Sequence, residues 1–198
     1  MSDYNAFTKR PLLQAFAQGV MKLAGWKVEA NFPDIPKYVL IVAHHTSNWD
    51  FPIGLFAALS INFWPQWIGK DALFKAPFGG FMKWLGGIPV VRSSRNNFVD
   101  QVAEVYQQHE RMVIAITPEG TRKKTDHWKT GFYHIATTAN IPIVMAYIDY
   151  KRKTAGIGPV LQPSGDLNAD LAKIRHFYDG ITGKYPQEQG DIRVRQND

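Results

Sequence analysis

Cysteine is absent from all 198 residues. That excludes disulfides, thiol nucleophiles and Cys-ligated metals, so covalent thiol chemistry is ruled out. Long apolar runs are missing too. The two greasiest stretches, 55–69 and 78–91, are broken by Asn62, Pro65 and Gln66 in the first and by Lys83 in the second. Neither approaches the ~20 apolar residues of a spanning helix, so the chain is expected not to cross a membrane. The N-terminus carries no charged region followed by an apolar one, because Lys9, Arg10, Gln14, Gln18 and Lys22 interrupt every candidate run, and no export signal is expected. There is no long Pro/Gly/Ser linker and no break in composition, which predicts one domain. No Gly-x-Ser-x-Gly turn occurs, which removes the usual serine-hydrolase elbow.

What is present is a 45% hydrophobic chain with a formal charge of +6. Such a surface attracts anionic lipid or nucleic acid. Leu12, Phe16, Val20 and Leu23 recur at helical spacing beside Lys9, Arg10, Lys22 and Lys27, the pattern of an interfacial helix with basic flanks. The alternative is a helix packed on its own core through that stripe. Aromatics and lysines interleave again in 63–67 and 75–85, a combination suited to a headgroup layer.

Short apolar runs alternate with helical patterns along the chain. Strands are predicted at 37–43, 66–69, 88–91, 112–116 and 141–147, and helices at about 48–59, 96–109, 131–139 and 167–178. This is a single α/β domain with a mixed, mostly parallel sheet flanked by helices and an N-terminal amphipathic helix. We divide it into an N-terminal helical segment 1–30, a main domain 31–186 and a polar tail 187–198. Sites in such folds collect at the C-terminal ends of strands.

One of those ends holds the most informative motif. The buried-looking strand Lys37-Tyr38-Val39-Leu40-Ile41-Val42-Ala43 runs into His44-His45-Thr46-Ser47-Asn48-Trp49-Asp50. Thr46 or Ser47 is expected to cap a helix there. His45 then sits in a strand-to-helix turn and Asp50 in the first helical turn, near enough for the carboxylate to hold one ring nitrogen. A histidine fixed in this way can act as a general base through the other. An acid in a first helical turn is also favoured by the helix dipole alone, and with 6 His and 12 Asp the spacing arises readily by chance. His44 and His45 are neighbours and face opposite sides of an extended segment, so a metal held by both is not expected.

Three further strand ends carry cations. The strand 112–116 runs into Thr117-Pro118-Glu119-Gly120-Thr121-Arg122-Lys123-Lys124, whose glycine, hydroxyl, backbone donors and charges suit a phosphate. Arg92 follows the strand 88–91, and Lys70 follows the strand after Trp67, as second and third anion contacts. Each of these alone reads more readily as a solvated basic loop.

Taken together, His45-x4-Asp50, Gly87-Ile88-Pro89-Val90-Val91-Arg92, Pro118-Glu119-Gly120-Thr121-Arg122 and Ile141-Pro142-Ile143-Val144 resemble, in order and spacing, the four blocks of the glycerolipid acyltransferases. The likeness is greatest to the 1-acyl-glycerol-3-phosphate acyltransferases. It covers about residues 37–148 and includes Lys70-Asp71-Ala72-Leu73-Phe74 and Lys129-Thr130-Gly131-Phe132. His44 stands where the family usually has Asn, Thr117 where it has Phe, and Met145 where a second proline is frequent.

The resemblance implies an enzyme in which His45 takes the proton of an acceptor hydroxyl as that oxygen attacks an acyl thioester, with Asp50 orienting the ring and no acyl-enzyme formed. It implies that Arg122, with Gly120, Thr121, Arg92 and Lys70, holds the acceptor phosphate. Glu119 is grouped with these residues and is expected to orient Arg122 or the backbone rather than touch phosphate. The implied partners are acyl-CoA or acyl carrier protein as donor, a lysophospholipid acceptor and an anionic membrane surface, with no nucleic acid, metal or cofactor. An apolar groove for the acyl chain is expected in the Phe74 to Leu85 region. The expected location is the inner face of the cytoplasmic membrane, held peripherally. The acceptor the resemblance implies is 1-acyl-glycerol-3-phosphate, giving phosphatidate, with a different lipid acceptor as the alternative. Two rival classes are a lipid hydrolase, for which Ser47 lies too close to His45 to be the nucleophile, and a lipid-binding module, which gives no reason for His45 and Asp50 beside a phosphate loop.

Overall fold

The computed structural model describes residues 9–90 and 95–195, with backbone alone for Lys70, Asp71, Val90, Arg95, Asn96 and Asn97. The helices are α1 (Pro11–Leu23), α2 (Asp50–Ser60), α3 (Gly79–Trp84), α4 (Arg95–Gln107), α5 (Gly131–Thr138) and α6 (Leu167–Tyr178). The strands are β1 (Lys27–Ala30), β2 (Lys37–Ala43), β3 (Gln66–Lys70), β4 (Gly87–Val90), β5 (Met112–Ile116), β6 (Ile143–Asp149) and β7 (Thr154–Leu161).

Among the described residues the strands form one sheet in the order β1-β7-β6-β2-β5-β3-β4. The five strands from β6 to β4 are mutually parallel, β7 is antiparallel to β6, and β1 is parallel to β7. The expected α/β domain with a mixed, mostly parallel sheet is what forms. β2 is central because it is apolar on both faces, as a strand covered on both sides must be. Val39, Ile41 and Ala43 join the core beneath α4, α5 and α6, while Tyr38 and Leu40 join a second core with Phe63 on the opposite face. Ile41 is fully buried. Truncating it to alanine is expected to cost about 2–5 kcal/mol.

Two tyrosines bind the helical layer to this strand. Tyr106 of α4 donates its hydroxyl to the Tyr38 carbonyl (2.8 Å) and accepts the Ile114 amide (3.1 Å), bridging β2 and β5. The Tyr178 hydroxyl of α6 lies 3.0 Å from the Ile41 carbonyl and 2.9 Å from that of Ala146, bridging β2 and β6. Buried hydroxyls need such partners, so these contacts fix both helices against the sheet.

The sequence reading missed two strands. β7 contains Gly156, Gly158 and Pro159, which mask its periodicity. It forms because β6 folds back on it through the turn 150–153. There the buried Asp149 accepts the amides of Lys151 (2.9 Å) and Arg152 (3.2 Å) and pairs with the Arg152 guanidinium at 2.6 Å. β1 falls inside the segment read as N-terminal helix. The helix ends at Leu23, and residues 27–30 belong to the sheet. The polar segment at the C-terminus packs on the molecule as far as it is described: Ile192 is buried, and Trp128 donates its amide to the Arg193 carbonyl at 2.9 Å.

Candidate active site

β2, β5 and β6 end side by side, and the loops leaving them meet at one edge of the sheet. The helix after β2 starts at Asp50, two residues later than expected, and neither Thr46 nor Ser47 caps it with a side chain. The carboxylate of Asp50 reaches back instead. Its Oδ2 accepts the amides of Thr46 and Ser47, each at 2.9 Å, and lies 3.0 Å from His45 Nδ1. Its Oδ1 accepts the Tyr150 hydroxyl at 2.6 Å. Burial alone raises a carboxyl's proton affinity, but here the bonds from His45, Tyr150 and Ser47 together outweigh it and hold Asp50 below the ordinary range. Asp50 is thus an anion with four donors around two oxygens.

With Nδ1 committed to Asp50, the His45 ring presents Nε2 to the cavity it lines, where it has no partner among the described residues. This arrangement can take a proton from a hydroxyl placed there. The Ser47 hydroxyl is not a nucleophile for this histidine, because it is buried and accepts the Trp49 amide at 3.1 Å.

Glu119, in the loop after β5, is buried under the same turn. Its Oε1 accepts the His45 amide at 3.1 Å, so of the two roles expected for it the structure places it on backbone rather than on Arg122. Burial pushes its carboxyl up to about 7. The buried His44 ring lies beside it, Nδ1 to Oε1 3.9 Å, too long for a hydrogen bond. Burial lowers the proton affinity of His44. Among the described residues neither His44 Nδ1 nor Glu119 Oε2 has a hydrogen-bond partner.

Gly120 has φ +63°, and the space a Cβ would need is taken by Lys129, whose Nζ lies 2.8 Å from that position. The positive φ is what favours glycine there, since the flexible end of Lys129 can give way. Gly120, Thr121 and Arg122 line the cavity with His45 and Lys129. Arg122 is exposed and has no hydrogen-bond or ion-pair partner among the described residues, so its guanidinium is available to an anion. Lys129 joins this group from the segment before α5. In sequence it stands only as part of a block; here its backbone amide donates a hydrogen bond to the Pro118 carbonyl (2.9 Å) and ties the two loops. Arg92 lies outside the described residues, as does the Lys70 side chain, although the Lys70 backbone ends β3 at the same sheet edge. Among the described residues no three His, Asp or Glu side chains gather as metal ligands.

The cavity measures about 1750 Å³, larger than the ~300–1,000 Å³ of most small-molecule clefts. Beyond His45 it extends between α2 and the sheet, where Leu40, Val42, Ala58, Ile61, Phe63 and Ala146 make an apolar lobe. The groove expected from Phe74 to Leu85 supplies only Met82 and Leu85 to it. Alternation in β2 could have pointed to this face, since Leu40 and Val42 share it.

A family model described as Acyltransferase matches residues 27–149. Among solved structures, the crystal structure of the 1-acyl-sn-glycerophosphate (LPA) acyltransferase PlsC from Thermotoga maritima is similar in fold. Its TM-score is 0.57 at 18% sequence identity, over 82% of this chain and 73% of that one. A search of curated proteins finds no match. Since the family model covers well over half of the chain, this protein belongs to the acyltransferase family and is an acyl-transferring enzyme.

Proposed function

We propose that the enzyme transfers an acyl group from acyl-CoA or acyl carrier protein to the free hydroxyl of 1-acyl-glycerol-3-phosphate, giving phosphatidate. The observation that carries this reading is that one cavity holds the open side of His45, the unpartnered Arg122 and an apolar lobe. A base, an anion contact and a hydrocarbon site are what a lysophospholipid and a fatty thioester need together. The protein named for that reaction in Thermotoga maritima shares the fold.

In the proposed mechanism His45 Nε2 takes the acceptor's hydroxyl proton as its oxygen attacks the thioester carbonyl. The tetrahedral intermediate collapses, the C–S bond breaks, and the leaving thiolate takes the proton from the imidazolium, which restores neutral His45. Asp50 stabilises that cation, and general-base help of this kind is worth about 10²–10⁴-fold. Arg122, supported by Thr121 and Lys129, holds the phosphate and so positions the hydroxyl. Arg92 and Lys70 complete the proposed phosphate site.

The acceptor is a membrane lipid, and no helix among the described residues is long and apolar enough to cross a bilayer. We therefore place the enzyme peripherally on the inner face of the cytoplasmic membrane. Leu12 and Leu23 of α1 are 88% and 91% exposed, and Phe16 of α1 and Phe78, Phe81 and Trp84 at α3 are exposed as well. The two regions are tied together through the buried Trp64, which carries Arg10 on its ring at 4.1 Å and packs on Trp84, itself stacked on Phe81. Exposed apolar side chains with basic flanks suit an anionic bilayer surface.

The test is the rate for phosphorylated and unphosphorylated acceptors in wild type and Arg122→Ala. A loss of at least ~10-fold in kcat/KM confined to the phosphorylated acceptor is expected, with little rescue by Arg122→Lys. Equal losses for both acceptors would sink the phosphate assignment.

A further inference from the structure

Tyr150 stands one residue beyond the part of the chain matched by the family model, and Trp26 one residue before it. We propose that Tyr150 is a positioning residue of the acyl transfer, holding the carboxylate of Asp50 in the orientation that serves His45. The inference rests on the general-base reading above.

Tyr150 is placed with care by its surroundings. The Asp149 carboxylate locks the turn that follows β6, and the Tyr150 amide donates to the Thr182 carbonyl at 2.8 Å. Its ring meets the Trp26 ring edge to face at 5.2 Å. Backbone, turn and ring are therefore all fixed before the hydroxyl makes its bond of 2.6 Å to Asp50 Oδ1. Burial and the adjacent carboxylate push the phenol well above its ordinary range, so it remains a donor.

Without that bond only Oδ2 of the carboxylate is held, by two amides and His45, and Oδ1 is left as a buried acceptor without a partner. The donated bond also disperses the negative charge that faces the imidazole. Its loss concentrates that charge and favours the protonated ring, which moves the acid limb of activity to higher pH. Besides His45 and Asp50, the titratable groups around this point are Glu119 from the loop after β5, His44, and Tyr185 from the C-terminal segment.

Tyr150→Phe keeps the ring on Trp26 and removes only the hydroxyl. Its kcat is expected to fall roughly 10-fold with KM within about twofold, and the acid limb of kcat/KM to rise by about half a unit. The His45 Nδ1 proton, bonded to Asp50, is expected to move in the NMR spectrum of the substrate-free protein. An unmoved signal overturns the proposal, and so does a loss of rate equal at every pH. A moved signal in a protein with no acyl transfer would keep Tyr150 as Asp50's partner and overturn the proposed reaction instead.

Discussion

Asp50 carries out two tasks with one oxygen: Oδ2 closes the turn 46–47 in place of a cap and holds His45. The motif spacing is therefore a structural requirement as much as a chemical one, because an acid elsewhere would leave two amides open. Glu119 does the same from the far side by taking the His45 amide. Its carboxyl, at about 7 in the fold against an ordinary 4.5, binds its proton more tightly folded than unfolded. The stability it contributes is full below pH 4.5 and is lost as pH rises through about 7. Glu119→Gln cannot ionise but keeps an oxygen for the His45 amide. Relative to wild type it is expected to gain on the order of 2–3 kcal/mol between pH 5 and pH 8 in denaturant unfolding. A difference that does not change with pH would show that Glu119 is not buried as a neutral acid. His45 and Asp50 were legible in the sequence because they lie five residues apart at a strand end. Tyr150 was not, since it reaches Asp50 across 100 residues through a turn that no local pattern announces.

Among the elements, α1 departs most from a soluble helix. It packs through Leu13, Ala17 and Met21, one face at i, i+4, i+8, and leaves Leu12, Phe16 and Leu23 outside. The stripe read from sequence is thus not the one that packs against the core. Substituting Leu12 and Leu23 with serine removes side chains that are 88% and 91% exposed and leaves the Phe16 ring on Phe56, so the fold is expected to hold while co-sedimentation with anionic vesicles falls at least ~10-fold. Undiminished binding would contradict the anchoring role. Point substitutions are the better probe here, because removing residues 1–30 also removes β1. Elements with strong periodicity, β2, β5 and α6, were read within a few residues. β7 was hidden because its glycines and proline are tolerated only by its partners: Gly156 lies against the Tyr147 hydroxyl, and Gly158 against the Phe177 ring.

At the scale of the whole molecule, the parallel order of β6, β2 and β5 brings chemistry from three separate stretches of chain to one edge. The family resemblance had implied which residues meet, while the size and course of the apolar lobe depend on how α2 stands over the sheet, which no spacing records. In the proposed reaction His45 is the base and phosphatidate the product. The most direct measurement is mass-spectrometric detection of phosphatidate from 1-acyl-glycerol-3-phosphate, with acyl-CoA and with acyl carrier protein as donors, by wild-type protein and by folded His45→Ala. Wild type is expected to form phosphatidate with at least one donor, and His45→Ala to form it at least ~10²-fold more slowly. Phosphatidate made at a near-normal rate by His45→Ala, or by neither protein with either donor, would contradict the account.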